Sequence, residues 1–376
     1  GFETDEDRIE AEFRAVVEHI NATGAYGRHP VEMIFGAVDQ SDQSESNQER
    51  LAAEMCERMT RDEGVHLVIS TGLGTVRAQE CYAERQTVLF ELTNPSREQA
   101  RPWAVPSTWL GLERMATLMP HAYEQVGFLS DAMGVMAFDD PEDRAVVENV
   151  LIPGLEARGG TVLDMAFVDR ASYGDIAANI SSAVLRFKSQ GIDRVIMFAK
   201  GGGVWLLFTR AAEGQDYHPR YGLSSWDFPR AIGPLISESQ HEGAVGVGYL
   251  PLVDNYVQGL PEPNARQQEC WRIINEGTGS NYQDFSSNPA VGAMAVCESM
   301  FIGKTALDLA PGAPIVRDRI PTLYRQIEDR FEPFAFHRLR FSDRSPDAIT
   351  VWSPFAYVQD GCACFRYTGD PRPIPE

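Results

Sequence analysis

Lysine is close to absent from this 376-residue chain: Lys188, Lys200 and Lys304 are the three, and every other basic residue is arginine. That scarcity reads as genome composition rather than function. Positive charge of either kind is outnumbered, 33 against 54, for a formal net charge of -21. So acidic a surface repels nucleic-acid phosphates and anionic lipid heads, which argues against a DNA, RNA or membrane-surface role. No apolar run approaches the length of about 18 residues that spans a bilayer, and no signal peptide opens the chain. The second absence carries no weight, because leaders are removed on processing. There is no C-x-x-C and no clustering of the seven histidines, so no metal site is expected. Cys56, Cys81, Cys270, Cys297, Cys362 and Cys364 make an even number spread over a long chain, which fits disulfides, with six buried thiols as the alternative.

What is present is an ordinary globular composition, 43% hydrophobic and 23% charged, at a length that predicts two core-forming units. Ile9, Phe13, Val16, Val17 and Ile20 recur at helical spacing, and residues 31–38 read as a strand. A helix from Gln48 to Met59, a strand from His66 to Ser70, a short helix with Cys81 and a strand from Thr87 to Glu91 follow. A second series starts at Gly134. Its strands are expected at Gly134 to Phe138, Thr161 to Val168, Arg194 to Ala199 and Tyr221 to Trp226, with helices between them. Nearly continuous apolar strands alternating with helices predict an α/β fold of two similar doubly wound lobes with parallel sheets and a cleft between them. A doubly wound lobe normally opens on a strand, whereas this chain opens on acidic residues and a helix. The first strand is therefore expected to be missing from the sequence, or the first lobe to be incomplete.

Three glycine or acidic turns sit where strands run into helices. Gly72-Leu73-Gly74 opens like a dinucleotide fingerprint, but Arg77 occupies the third glycine position. Gly201 to Gly203, in the stretch VIMFAKGGGVW, has neither that spacing nor the GK[ST] ending of a P-loop. Asp139-Asp140-Pro141 sets carboxylates where a phosphate would sit. What the three share is position at the carboxyl end of a predicted parallel strand, where helix amino ends and free main-chain N–H groups can enclose a small molecule.

The span from Gly134 to Pro229, with SSAVLRFKSQGIDRVIMF and AAEGQDYHPRYGLSSW, resembles the second lobe of type I periplasmic binding proteins, among them the branched-chain amino acid receptors of ABC importers. VEHINATGAYGRHPVEMIFGAVDQSD, LVISTGLGTVRAQ and VLFELTNP resemble the first lobe. The resemblance covers nearly the whole chain. It implies lobe 1 from 1–108 plus 253–335 and lobe 2 from 109–252 plus 336–376. Crossovers are implied near 106–122, 247–254 and 333–342. It also implies an extracytoplasmic location with a removed leader or lipid anchor, a monomer, a small-molecule ligand, an ABC permease as partner and no cofactor. Cys56 with Cys81 looks like the disulfide that members often carry. Cys270 and Cys297, on consecutive predicted helices, could pair likewise, while Cys362 with Cys364 stays open.

Carried over position by position, the resemblance places Gly72, Leu73, Gly74, Leu92 and Thr93 at ligand-facing turns of lobe 1. It places Asp143, Lys200, Gly201, Ser225, Trp226 and Asp227 in lobe 2. Thr93 could instead be a helix cap, Asp143 a first-turn surface carboxylate, and Lys200 a partner of Asp143. The acid expected to hold an α-ammonium is replaced near Ser225 and Trp226, unless Asp227 takes that role. With Trp226 and Trp109 as aromatic walls, a less polar or aromatic ligand is the alternative to an amino acid. Trp205 reads as core.

No G-x-S-x-G elbow and no histidine set with ligand spacing occurs, and Asp139, Asp140, Asp42 and Glu45 lie in contexts typical of solvated carboxylates. No catalytic residue is expected. The expected function is a solute-binding protein that encloses a small molecule between two lobes and delivers it to an ABC importer. A ligand sensor of the same fold and a nucleotide-dependent α/β enzyme are the alternatives.

Overall fold

The predicted first helix is α1 (Glu6–Ala22), whose Val16, Val17 and Ile20 form its buried stripe. The computed structural model describes residues 6–37, 45–70, 76–91, 103–169 and 173–375. The chain divides into two compact units: Gly1–Gly111 with Glu262–Thr350 form unit 1, and Leu112–Pro261 with Val351–Glu376 form unit 2.

After α1 the chain forms α2 (Glu45–Glu57), β1 (Leu67–Ser70), α3 (Val76–Glu84) and β2 (Val88–Glu91). Residues 31–37, expected as a strand, form none. The Asn21 amide accepts from the Val31 N–H at 2.8 Å and donates to the Val31 carbonyl at 2.9 Å, binding that backbone to the end of α1 instead of to a sheet. β1 and β2 pair in parallel, Leu67 opposite Val88. They are the whole of the unit 1 sheet among the described residues, with Leu89 bridged to Ala104.

Unit 2 then supplies α4 (Leu112–Gln125), β3 (Met133–Phe138), α5 (Pro141–Val146), α6 (Ile152–Glu156), β4 (Val162–Val168), α7 (Tyr173–Ser189), β5 (Arg194–Met197), α8 (Gly203–Glu213), β6 (Arg220–Ser224), α9 (Pro229–Ile232), β7 (Val245–Gly248) and α10 (Pro251–Asp254). The chain returns to unit 1 for α11 (Ala265–Thr278), α12 (Asn288–Asp308) and α13 (Ile320–Arg325). It ends in unit 2 with β8 (Val351–Val358), β9 (Cys364–Tyr367) and β10 (Arg372–Pro373). The strand order is β10-β8-β7-β6-β5-β3-β4, with β9 also on β8. β3 to β7 are mutually parallel, and β8 continues the sheet antiparallel to β7, with β10 beyond it.

Register shows how both faces of this sheet are covered. Gly134, Val195 and Tyr221 are level across β3, β5 and β6, so their Cα–Cβ directions share a face. A Cβ on Gly134 would meet Phe187 of α7 at 2.8 Å, and Phe208 of α8 stands edge-on to Tyr221 at 6.1 Å. Gly222, one residue further, points the other way, where a Cβ would meet Phe128 at 2.9 Å and Tyr123 at 3.0 Å. Apolar runs such as MGVMAF in β3 are what a sheet buried on both faces requires.

In unit 1, α1 approaches α11 so closely that a Cβ on Gly277 would lie 2.4 Å from that of Ala15. α12 is long and apolar enough to cross a membrane by length and composition, yet 67% of that stretch is buried inside the protein, as in a core helix. Residues 336–350, assigned to lobe 2 from the sequence, belong to unit 1. Phe341 bridges to Glu328, Ile349 to Leu339 and Asp347 to Ser107, and the Ala348 N–H donates to the Ser107 carbonyl at 2.7 Å. These short ladders hold the segment before the chain crosses into β8.

All six cysteines are paired. Cys56–Cys81 joins α2 to α3 and Cys270–Cys297 joins α11 to α12, with Cα separations of 6.3 and 6.1 Å; Cys362–Cys364 closes a two-residue step before β9. Loops of 25 and 27 residues correspond to about 3.5 kcal/mol each in the chain-entropy account. Replacing Cys270 and Cys297 by serine is therefore expected to lower the stability of unit 1 by about 3 kcal/mol, read as a lower urea midpoint with an unchanged slope.

Candidate functional site

Strand order fixes where unit 2 can hold a ligand. The chain leaves β3 toward β4 on one side and leaves β5 toward β6 on the other, so the loops after these neighbouring strands diverge. Doubly wound sheets bind ligands at that switch point. Here the loops are Asp139-Asp140-Pro141 and Lys200-Gly201-Gly202.

The first loop is an entry to α5. Asp140 precedes it in extended conformation, Pro141 takes the first helical position, and Glu142 and Asp143 fill the acidic first turn, an arrangement the helix dipole favours. Asp139 is bound by Arg144, whose hydrogen bond lowers its pKa. The Arg144 guanidinium lies 4.0 Å from the centre of the Phe167 ring. Asp143 is half-buried in that first turn.

The second loop uses its glycines for a close approach of main chain to main chain. Gly201 and Gly202 have φ of 98° and 71°, which glycine adopts without strain. The Gly201 N–H donates to the Trp226 carbonyl at 2.9 Å. A Cβ on Gly202 would stand 2.5 Å from the Asp227 carbonyl oxygen. The glycine run is thus pressed against the turn that follows β6, and α8 starts at Gly203. Lys200, half-buried, sets its ammonium 5.3 Å from the centre of the Trp226 ring.

That turn, Ser225–Asp227, is a single 3-10 turn closed by a capping box. The Ser224 hydroxyl accepts from the Trp226 N–H at 3.2 Å, and the Asp227 carboxylate accepts from the Ser224 N–H at 2.8 Å. Phe228 follows with φ 49°, a left-handed conformation that costs a bulky side chain of order 1 kcal/mol. Below the turn lies Asp254, the last residue of α10. Its Oδ2 accepts from the Ser225 hydroxyl at 3.0 Å, the Leu250 N–H at 2.9 Å and the Tyr367 hydroxyl at 2.6 Å. The Ser225 hydroxyl in turn accepts from the Tyr249 N–H at 2.9 Å. One carboxylate oxygen therefore ties together the ends of β6, β7 and β9. Burial pushes its pKa up to about 7, against the lowering effect of those donors. Asp227, also fully buried, is raised well above the usual carboxylate range by burial, with a further rise from the charge of Asp254.

The structure brings Lys200, Gly201, Ser225, Trp226 and Asp227 into one cluster, with Asp143 on the neighbouring loop. Three of them are turned inward, contrary to expectation. Ser225 and Trp226 are fully buried and Asp227 is 1% exposed. Trp226 packs on Phe198 at 5.4 Å, Ser225 is bound to Asp254, and Asp227 is the cap of its own turn, so it presents no carboxylate at the surface for an ammonium. Trp205 is core, as expected. Trp109 lies in unit 1, half-buried, its backbone N–H donating to the Ser107 hydroxyl at 3.0 Å. Gly72, Leu73, Gly74, Leu92 and Thr93 lie outside the described residues. No group of three or more metal-ligating side chains occurs among the described residues. Asp254, Ser224 and Tyr367 were not anticipated. Ser224 and Asp227 do carry the S-x-x-D spacing of a capping box, whereas Asp254 in PLVDN carries no such signal.

Structures of known proteins share this architecture over nearly the whole chain. A solute-binding protein of an ABC transporter from Rhodopseudomonas palustris, solved in complex with 4-hydroxybenzoate, is 13% identical with a TM-score of 0.70, over 98% of this chain and 93% of that one. An extracellular ligand-binding receptor from Rhodopseudomonas palustris HaA2 is 14% identical with a TM-score of 0.70, over 96% and 94%. An ABC transporter substrate-binding protein from Desulfitobacterium hafniense, in complex with Leu, is 14% identical with a TM-score of 0.62, over 96% and 95%. At such identities the likeness is one of fold. No protein-family model matches the chain, and no curated protein matches it by sequence.

Two predictions follow from the packing beneath the glycine run. Gly202→Ala is expected to destabilise unit 2 by about 2 kcal/mol, through its positive φ and the 2.5 Å approach to Asp227, measured by urea unfolding. Asp254 has a folded pKa above that of an ordinary unfolded aspartate. Its contribution to stability is thus fully present below about pH 4 and is lost as pH rises through about 7. Unfolding midpoints at pH 4.5 and 8 should differ less in Asp254→Asn than in the wild type.

Proposed function

We propose, from the type I periplasmic binding protein fold of this chain, that it is an extracytoplasmic solute-binding protein. It captures a small molecule and delivers it to an ABC importer through contact with the permease. The observation that carries this reading is the shared fold over 96–98% of the chain with substrate-binding and solute-binding proteins of ABC transporters. Three disulfides with no free cysteine suit an oxidising compartment.

Unit 2 contributes to the ligand site through Lys200 and Gly201 at the strand switch point, with Asp143 on the adjoining loop. Ser225, Trp226 and Asp227 act from behind, by holding the glycine run. The solute carries a carboxylate, the group common to leucine and 4-hydroxybenzoate, and Lys200 is the cation placed to meet it. Asp227 is buried in its own turn, so a solute lacking an ammonium, such as an aromatic carboxylate, suits unit 2 better than an amino acid.

Native mass spectrometry of the purified protein, followed by a thermal-shift screen with leucine and 4-hydroxybenzoate among the carboxylates, tests this reading. A retained or added small molecule should raise the melting temperature. Lys200→Ala should weaken its binding at least tenfold without lowering the melting temperature of the free protein. Failure of every small molecule to bind would sink the reading, and unchanged affinity in Lys200→Ala would remove Lys200 from the site.

A further inference from the structure

Behind the turn that meets the glycine run lie two buried carboxylates. Asp227 is 1% exposed and Asp254 is fully buried. Each accepts hydrogen bonds through Oδ2, and each has a buried Oδ1 with no partner among the described residues. A buried carboxylate oxygen without a donor is where a carboxylic acid carries its proton. We propose that capture of a carboxylate solute at unit 2 is coupled to uptake of a proton by the buried pair of Asp227 and Asp254.

Contacts already described connect the pair to the surface. Asp254 holds the Ser225 hydroxyl, Asp227 caps the same turn, and the carbonyl of Trp226, between them, receives the Gly201 N–H. Tyr367 of β9 donates to Asp254, and Tyr123 of α4 feels the charge of Asp227. Burial pushes both phenols well above their usual range, so they remain neutral donors. The Tyr249 ring is buried beside the turn. Among the described residues the cations are Lys200, against the Trp226 ring, and Arg230 on α9, which packs on α10.

An ionised Asp254, itself buried from water, puts a negative charge behind the place where a solute carboxylate would sit. Protonating it removes the repulsion, so the bound anion must raise the proton affinity of the pair, and by reciprocity a lower pH must tighten binding. For charges about 10 Å apart at a protein-like dielectric the coupling is roughly tenfold in affinity. A group half-protonated near pH 7 would then take up about 0.4 proton per solute bound at that pH.

This inference rests on the solute-binding reading, and one calorimetric experiment separates the two. Leucine and 4-hydroxybenzoate are titrated into the whole protein at pH 7 in buffers of different ionisation heat, and again at pH 6 and 8. Whichever probe binds should show net proton uptake of about 0.4 and an affinity roughly fivefold higher at pH 6 than at pH 8. Uptake should be largely lost in Asp254→Asn, with Asp227→Asn as the second variant should the first not fold. Binding without net proton exchange in the wild type, or uptake retained in both variants, overturns the coupling and leaves the solute-binding reading standing. If neither these nor any other carboxylate binds, the coupling falls, and if no small molecule of any kind binds, the solute-binding reading falls with it.

Discussion

Three donors converge on one oxygen, Asp254 Oδ2, and they come from the ends of three different strands. A parallel sheet fixes its strands relative to one another along their length but leaves their exits to the loops. Asp254 is the group that gathers those exits in unit 2. The Ser225–Asp227 turn stands on it, the glycine run stands on the turn, and Lys200 is carried at the edge of both. Without that carboxylate the Ser225 hydroxyl, the Leu250 N–H and the Tyr367 hydroxyl would be buried donors lacking their common acceptor, and such groups are costly.

Unit 1 solves its packing differently. Its described sheet is two strands, and its cohesion lies in helices pressed together and cross-linked. Gly277 lets α1 and α11 nearly touch, and disulfides close α2 to α3 and α11 to α12. Glu298 of α12 is buried and accepts from the Phe334 N–H at 2.5 Å and the Ala335 N–H at 3.2 Å. Burial pushes its pKa up to about 8. Here too a buried acid holds loop backbone in place, from the middle of a helix otherwise apolar enough for a membrane.

Much of this was legible because it is local. The βα alternation, the apolar runs of β3 and β5 and the helix entry at Asp140-Pro141 follow from spacing and capping rules that act within a few residues. The glycine run announced a close approach, but not what approached it: that depends on a turn some 25 residues on. Ser225, Trp226 and Asp227 look available in sequence because small polar and aromatic residues at a strand end often face a ligand. Their burial is decided by Asp254 and Tyr367, distant in the chain and carrying no motif. Residues 336–350 were misplaced for a similar reason, since the single bridges that hold them to unit 1 leave almost no periodic trace.

The disulfides carry one more consequence. Two close within unit 1 and the third within unit 2, so no cross-link ties one unit to the other. The covalent connection between the units is three passages of plain backbone, after Gly111, Pro261 and Thr350. Oxidation can therefore harden each half against heat and proteases while adding no covalent restraint between the halves.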